Sequence, residues 1–400
     1  MSSGLRLTLL LCGMQVLALS GWLSFQALIP MFRELWNLTN AEAGWVAAVS
    51  YLTYASFAPL LTALTDRLDA RKVVIAGCGV SFLAASGFGL LADGFWSAIL
   101  FRALTGIGIA GSYMPGLKAL SDRLEPKRQG RFQSFYTASF SLGSALSLFA
   151  TAFLADSFGW RGAFLGVGLL ALAAGLLAFL SLRPQAPPLA PGSRLLFDPR
   201  PVLRDRRALA YIIAYAAHAF EMAAFRTWIV AFLLFAALAS GSPIEGATAA
   251  AIATALVMIG LPASIAGNEL ASRFPRPLVL TLIMSASAAF ALLLGAIAAL
   301  PFRLVVAVAA VYASLVMADS AAITVGTLAQ APLERRGTAI ATQTLLASVM
   351  AMASPLLVGY ALDWAGDGNM AGWILGFAIM GLGVMAGPVA FLFLARPARA

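Results

Sequence analysis

Twelve long apolar segments fill the chain, and its positive charge sits almost wholly on alternate connections between them. At roughly 20 residues, each segment is long enough to cross the hydrocarbon core of a bilayer as a helix. Lipid offers no hydrogen bonds, so a crossing segment must satisfy its own backbone, and a helix does so. Of 400 residues 61% are hydrophobic and 11% charged, too little charge to cover a soluble domain of this size. The sequence therefore predicts an all-α membrane protein with twelve transmembrane helices. They are placed at about 7–31, 42–65, 72–92, 96–121, 131–156, 161–182, 208–238, 245–271, 277–299, 302–330, 337–363 and 371–394. Arg6 ahead of the first run suggests a signal peptide. The run to Met31 is too long for one and no small-residue cleavage site follows, so it is read as the first span.

Lys and Arg set the orientation. With a cytoplasmic N-terminus, 21 of the 26 basic residues lie in cytoplasmic connections or at the termini, 3 lie on the opposite side, and Arg102 and Arg226 lie inside spans. Both termini are therefore expected in the cytoplasm. The basic loops face an anionic leaflet, which accounts for the net charge of +9 without nucleic acid. Cys12 and Cys78 read as small buried hydrophobes.

Residues 183–207 carry six prolines among six arginines and cannot continue a membrane helix. They divide the chain into an N-terminal six-helix bundle (1–182), a cytoplasmic linker (183–207) and a C-terminal six-helix bundle (208–400). The halves echo each other. Lys127-Arg128-Gln129-Gly130 matches Glu334-Arg335-Arg336-Gly337, and Asp156 matches Asp363, both pairs 207 positions apart. Two coincidences at one offset point to an internal duplication, hence two pseudo-symmetric bundles with a cavity expected between them near the bilayer midplane.

This architecture resembles the major facilitator superfamily. The connection Thr62-Ala63-Leu64-Thr65-Asp66-Arg67-Leu68-Asp69-Ala70-Arg71 is similar to the family signature G-x-L-x-D-R-x-G-R-R at Leu64, Asp66, Arg67 and Arg71. It departs from the signature at Thr62, Asp69 and Ala70. By resemblance, Asp66, Arg67 and Arg71 form a conformational latch; the plain alternative is a charged cytoplasmic turn. Arg102-Ala103-Leu104-Thr105-Gly106 resembles the R-x-x-x-G motif of the fourth helix, which implies a cavity-facing arginine. Ser157-Phe158-Gly159-Trp160-Arg161-Gly162 resembles the start of the sixth. The fifth span lacks the Gly-Pro motif usual in the family's proton–drug antiporters, which favours import or exchange over drug efflux.

A charge at the bilayer centre costs at least ~2.5–3.5 kcal/mol and persists only with a partner or a polar cavity. Such residues are few: Arg102, Glu221, Arg226 and Asp319, with the single histidine, His218. They lie in the fourth, seventh and tenth spans, which by resemblance line the central cavity together with the first. At about 100° per residue, Glu221 lies about 60° from His218 and about 140° from Arg226. His218 and Glu221 thus share a face, and Arg226 is expected to find Asp319. Glu221, His218 and Asp319 are the candidate proton-coupling groups. A structural ion pair and a packed histidine are the alternatives. Arg102 and Arg226, with Trp22, Gln26 and Tyr113, are the candidate substrate contacts.

These features predict a secondary active transporter of a bacterial inner membrane, coupled to protons and moving a small, carboxylate-like anion. The expected partners are the solute, protons and the bilayer, with the chain a monomer. Rival readings are proton-driven efflux, a membrane enzyme acting on lipid-linked substrates, and a sensor without turnover. No P-loop, zinc motif, nucleophile triad or cofactor motif is present in the sequence, so neither catalysis, a cofactor nor a metal is expected.

Overall fold

The computed structural model describes residues 3–124, 126–185, 199–332, 335–366 and 368–395. Most of the Pro/Arg-rich connection (186–198) and Glu334 lie outside the described residues. The described chain is helical throughout. In order the helices are α1 (Ser3–Ala18), α2 (Ser24–Ala27), α3 (Ile29–Trp36), α4 (Asn40–Leu64), α5 (Ala70–Leu91), α6 (Phe95–Ser121), α7 (Pro126–Ser181) and α8 (Arg200–Arg204). They continue as α9 (Arg206–Ala239), α10 (Gly246–Arg273), α11 (Arg276–Ala296), α12 (Phe302–Ala318), α13 (Ser320–Gln330), α14 (Arg336–Ala365), α15 (Met370–Val384) and α16 (Ala386–Leu394).

Eleven stretches are long and apolar enough to cross a membrane, but one of them, Phe135–Ser181, has 47 residues. As a straight helix it would run about 70 Å, more than twice the hydrocarbon thickness of about 30 Å. Gly159 divides it, with φ 69° and ψ 168° inside α7. Only glycine enters that backbone region readily. The fifth and sixth predicted spans are thus one helical run folded at a single residue, and the count is twelve.

Three predicted spans are interrupted. The first breaks at a 3-10 turn, Leu19–Gly21, and again at Leu28 (φ −122°, ψ 16°). Pro30 explains the second break: it has no N–H and its ring clashes with the carbonyl four residues back, at Gln26. The twelfth breaks at Met385, and Pro388 stands in the same relation to Val384. The tenth breaks at Asp319, between α12 and α13, with no proline within α13.

The chain divides into two compact units: 1–38, 49–193 and 246–254 form the first, and 39–48, 194–245 and 255–400 the second. In the first, Leu11, Met14, Val74, Cys78, Leu120 and Tyr136 pack into a core. Cys12 borders it, and both cysteines are free thiols. Small residues let the helices approach. A Cβ added at Gly77 would lie 2.5 Å from the Gly111 carbonyl carbon, so α5 and α6 touch backbone to backbone. The second unit packs around Tyr211, Leu280, Met284, Ile323, Val384 and Phe391. Within it, Asp363 near the end of α14 caps the start of α4. Its oxygens accept from Asn40 N, Asn40 Nδ2 and Ala41 N, each at 2.8 Å. Asp156, its counterpart 207 positions earlier, is exposed.

Gly159→Ala is expected to cost about 1–3 kcal/mol by forcing a Cβ into a glycine-only backbone region. Gly79→Ala, at a helical position with open space around the added carbon, is the comparison. A lowered melting temperature for the first variant alone confirms the fold point; equal melting refutes it.

Candidate functional site

In the first unit, Arg102 is the organising charge. It lies on α6 and is 1% exposed. Its Nη1 donates to Gly21 O at 2.9 Å, and its Nη2 donates to Trp22 O at 2.8 Å, Ser50 Oγ at 3.1 Å and Gln26 Oε1 at 3.4 Å. The break in the first span explains the arrangement. Carbonyls released by the interrupted ladder need donors at a depth without water, and a guanidinium fork supplies several at once. Arg102 therefore meets oxygen dipoles here, not a carboxylate. Trp22 and Gln26 come together around it, but across the break at Leu23 and not on one face of a straight helix. The Trp22 ring meets Tyr51 edge-on at 5.1 Å. Tyr113 lies further along α6, its ring stacked on Tyr136 at 5.9 Å. The Tyr136 hydroxyl donates to Gln15 Oε1 at 2.7 Å.

In the second unit, α9 carries His218 and Glu221 one turn apart, both fully or almost fully buried. Glu221 Oε1 accepts from Ser287 Oγ of α11 at 2.9 Å and from the Tyr312 hydroxyl of α12 at 3.1 Å. Its Oε2 makes no hydrogen bond to a described residue. His218 Nδ1 stands 2.7 Å from Asp319 Oδ1, at ion-pair distance but off the line of a regular hydrogen bond. The Tyr215 ring lies 5.5 Å from the imidazole. The basic group at ion-pair distance from Asp319 is His218, and Arg226 Nη2 contacts Met317 Sδ at 3.8 Å. Asp319 sits at the break between α12 and α13, and α10 runs close beside it. A Cβ at Gly267 would overlap the Ala318 carbonyl oxygen, and one at Gly260 would press on Met317.

Asp66 and Arg67 are exposed, and their side chains make no hydrogen bond or ion pair to a described residue; their N–H groups close the turn onto Ala63 O and Leu64 O at 3.1 Å. The acid that bonds is Asp69, where the signature has glycine. It caps α5 by accepting from Arg71 N at 3.0 Å, and it accepts from Gln185 N at 2.9 Å and Arg123 Nη2 at 3.4 Å. Burial works to raise the Asp69 pKa, but the Gln185 and Arg71 N–H groups and the Arg123 guanidinium together hold it below the usual carboxylate value. Arg71 turns away: its Nη2 donates to Phe179 O at 2.6 Å, with the guanidinium over the Phe179 ring.

Ser50, Ser287 and Tyr312 were missed by sequence reasoning. Hydroxyls are common in these spans, and nothing local separates those that reach a charge from those that bond their own helix. A polar residue of the tenth span seven positions before Asp319, as Tyr312 is, was the available signal.

The sequence profile of the Major Facilitator Superfamily matches residues 11–331. The chain belongs to this superfamily. It is similar to the niacin transporter NiaP of Acinetobacter baylyi, 28% identical over 137 residues, covering 34% of this chain and 31% of that one. It is also similar to the multidrug transporter protein MdtP of Bacillus subtilis, 29% identical over 172 residues, covering 42% of this chain and 31% of that one. The chain thus spans about a third of the length of these relatives. Among solved structures, a bacterial homolog of the human lysosomal transporter Spinster, inward-facing and occupied, superposes with a TM-score of 0.78. That match covers 99% of this chain and 98% of the other at 15% identity, a likeness of fold.

Two outcomes are expected. Arg102→Leu takes the donor from the Trp22 carbonyl, at about 1–3 kcal/mol, while the Gly21 carbonyl keeps the Ser24 hydroxyl at 2.8 Å, so the purified protein should melt below wild type; unchanged melting would remove the positioning role. In the folded state the Asp69 carboxyl is held below its ordinary value of about 3.8. Its stabilisation is therefore complete above pH 3.8 and lost as pH falls through the lower folded value. Asp69→Asn should flatten the acid limb of the melting-temperature profile below pH 4, and an identical limb counts against the assignment.

Proposed function

We propose that the chain is a secondary active transporter that works by alternating access, is coupled to protons, and carries a small carboxylate-like anion. The observation that carries this reading is the buried cluster on α9, α11 and α12. Two carboxyl groups, one imidazole and two hydroxyls meet where no water-exposed role explains them. Carboxyl and imidazole side chains held in contact with hydroxyls and with each other are the groups that pass protons between positioned partners. Glu221 is assigned as the coupling carboxyl, with His218 and Asp319 as its relay. Arg226, five residues beyond Glu221 on α9 and about 140° around it, is the group assigned to the solute's charge. Niacin, named for one relative, is a pyridine carboxylate, in keeping with an anionic solute. The basic connections support a bacterial inner membrane location with both termini cytoplasmic.

One observation favours a second reading. Arg102 Nη1 and Nη2 bond carbonyl, amide and hydroxyl oxygens of its own unit. With that charge engaged, the solute contacts are less cationic, which suits a neutral or cationic solute exported in exchange for protons. The similarity to a multidrug transporter points the same way.

Uptake into proteoliposomes under an imposed pH gradient, across a panel of aromatic and aliphatic carboxylates, decides between them. Glu221→Gln is expected to lose gradient-driven accumulation at least about tenfold while keeping solute exchange, because a neutral amide still binds but carries no proton. Full accumulation by that variant excludes Glu221 as the coupling group. Accumulation only in inverted vesicles, with organic cations, selects efflux.

A further inference from the structure

A second polar site lies apart from the buried cluster. In the second unit, at the end carrying its basic connections, a cavity of about 410 Å³ opens among the starts of α9 and α11 and the ends of α13 and α16. That volume is in the range of small-ligand sites. Arg207, Arg276, Tyr211 and Gln330 supply its polar lining, and no carboxylate lines it. The neighbouring Asp205 is engaged elsewhere, its Oδ1 capping α9 through Arg207 N and Ala208 N at 2.9 and 3.0 Å. Arg276 is anchored by one bond, Nη1 to Ala322 O at 3.3 Å. Its remaining N–H groups bond no described residue.

Tyr211 makes the cavity more than a gap between helices. It is only 4% exposed. Its ring lies directly on Gly326, where any Cβ would overlap it, and meets the Phe391 ring edge-on at 5.0 Å. The ring is thereby fixed, yet its hydroxyl bonds no described residue and the residue lines the cavity. The hydroxyl opens into the cavity, where it is left to a ligand or solvent. Two guanidinium forks, a phenol O–H and an amide N–H together match an anion with several acceptor oxygens. Paired arginines are especially suited to phosphate. Pro277, Ala329 and Ala395 give the same cavity an apolar wall, as a group attached to a hydrocarbon chain would need. By the charge rule this end faces the cytoplasmic leaflet, where anionic lipids collect.

We propose that this cavity binds a phosphate group, either as the headgroup of an anionic phospholipid or as free phosphate, and that Arg207, Arg276 and Tyr211 recognise it. The site shares no residue with the proposed transport machinery, so each stands or falls alone.

Thermal unfolding of the purified full-length protein tests it, with phosphatidylglycerol, phosphatidylcholine or inorganic phosphate added at constant ionic strength. Wild type is compared with the double variant Arg207→Gln/Arg276→Gln, with Tyr211→Phe, and with Arg303→Gln, an exposed arginine at the start of α12. Phosphatidylglycerol should raise the midpoint of wild type and of Arg303→Gln, and phosphatidylcholine should not. The double variant should need at least about tenfold more phosphatidylglycerol for the same shift, and Tyr211→Phe a few-fold more. Tyr211→Phe keeps the packed ring, so it remains informative if the double variant folds poorly. A shift produced by inorganic phosphate with the same dependence on the variants identifies the free ion as the ligand. Equal responses of wild type, Tyr211→Phe and the double variant to both phosphate-bearing probes would falsify the proposal.

Discussion

A backbone carbonyl at membrane depth needs a donor, and where a span breaks that donor must come from a side chain. The first unit is organised around one such debt. The first span is interrupted at Leu19–Gly21, and Arg102 reaches from α6 to the Gly21 and Trp22 oxygens. Its bond to Ser50 ties in α4 as well. One guanidinium thereby joins three spans, and the cost of placing a charge in hydrocarbon is offset by the oxygens it satisfies. Removing the charge would take the donor from the Trp22 carbonyl; closing the break would leave the charge only the Ser50 and Gln26 side chains.

The second unit handles its interrupted tenth span differently. At Asp319 the break coincides with a carboxylate, and the group that meets it is an imidazole. One turn along α9, Glu221 is met by two hydroxyls from different helices. The chemical contrast is large. A guanidinium keeps its proton at any physiological pH, so Arg102 can hold geometry but cannot relay a proton. Carboxyl, imidazole and phenol groups exchange theirs. The proposed proton path is therefore confined to α9, α11 and α12, with a fixed charge serving the architecture of the first unit.

Span number and family were legible because hydropathy and loop charge act over long windows, and no packing detail can override them. Interruptions were less so. Pro30 and Pro388 each mark a clash four residues back and could have been read as breaks, but an unbroken apolar run hides them. The break at Asp319 has no such marker. At the site, the rare charges stood out at once, since each one in a span demands a reason. Their partners did not. Helical angles placed His218 beside Glu221 on one face, yet pairing is decided by which neighbouring helix presents what at that depth, and α12–α13 presents Asp319 to His218. Rotation and register between helices are tertiary facts. A motif on one strand of sequence cannot contain them.

Asp69 shows how a departure from a motif can relocate its chemistry. Glycine in that position serves a tight turn; aspartate can cap a helix, and here it caps α5 while gathering Arg123 and the Gln185 N–H. Three donors on one carboxylate tie together the ends of α5, α6 and α7 within the first unit. Breaking such a node means parting with several charge-assisted bonds at once, so it favours a fixed corner over a contact that is repeatedly made and lost. The exposed Asp66 and Arg67 carry no such commitment to a described residue. If this connection acts as a latch, the movable part is that pair, and Asp69 with Arg71 forms the rigid seat from which it works.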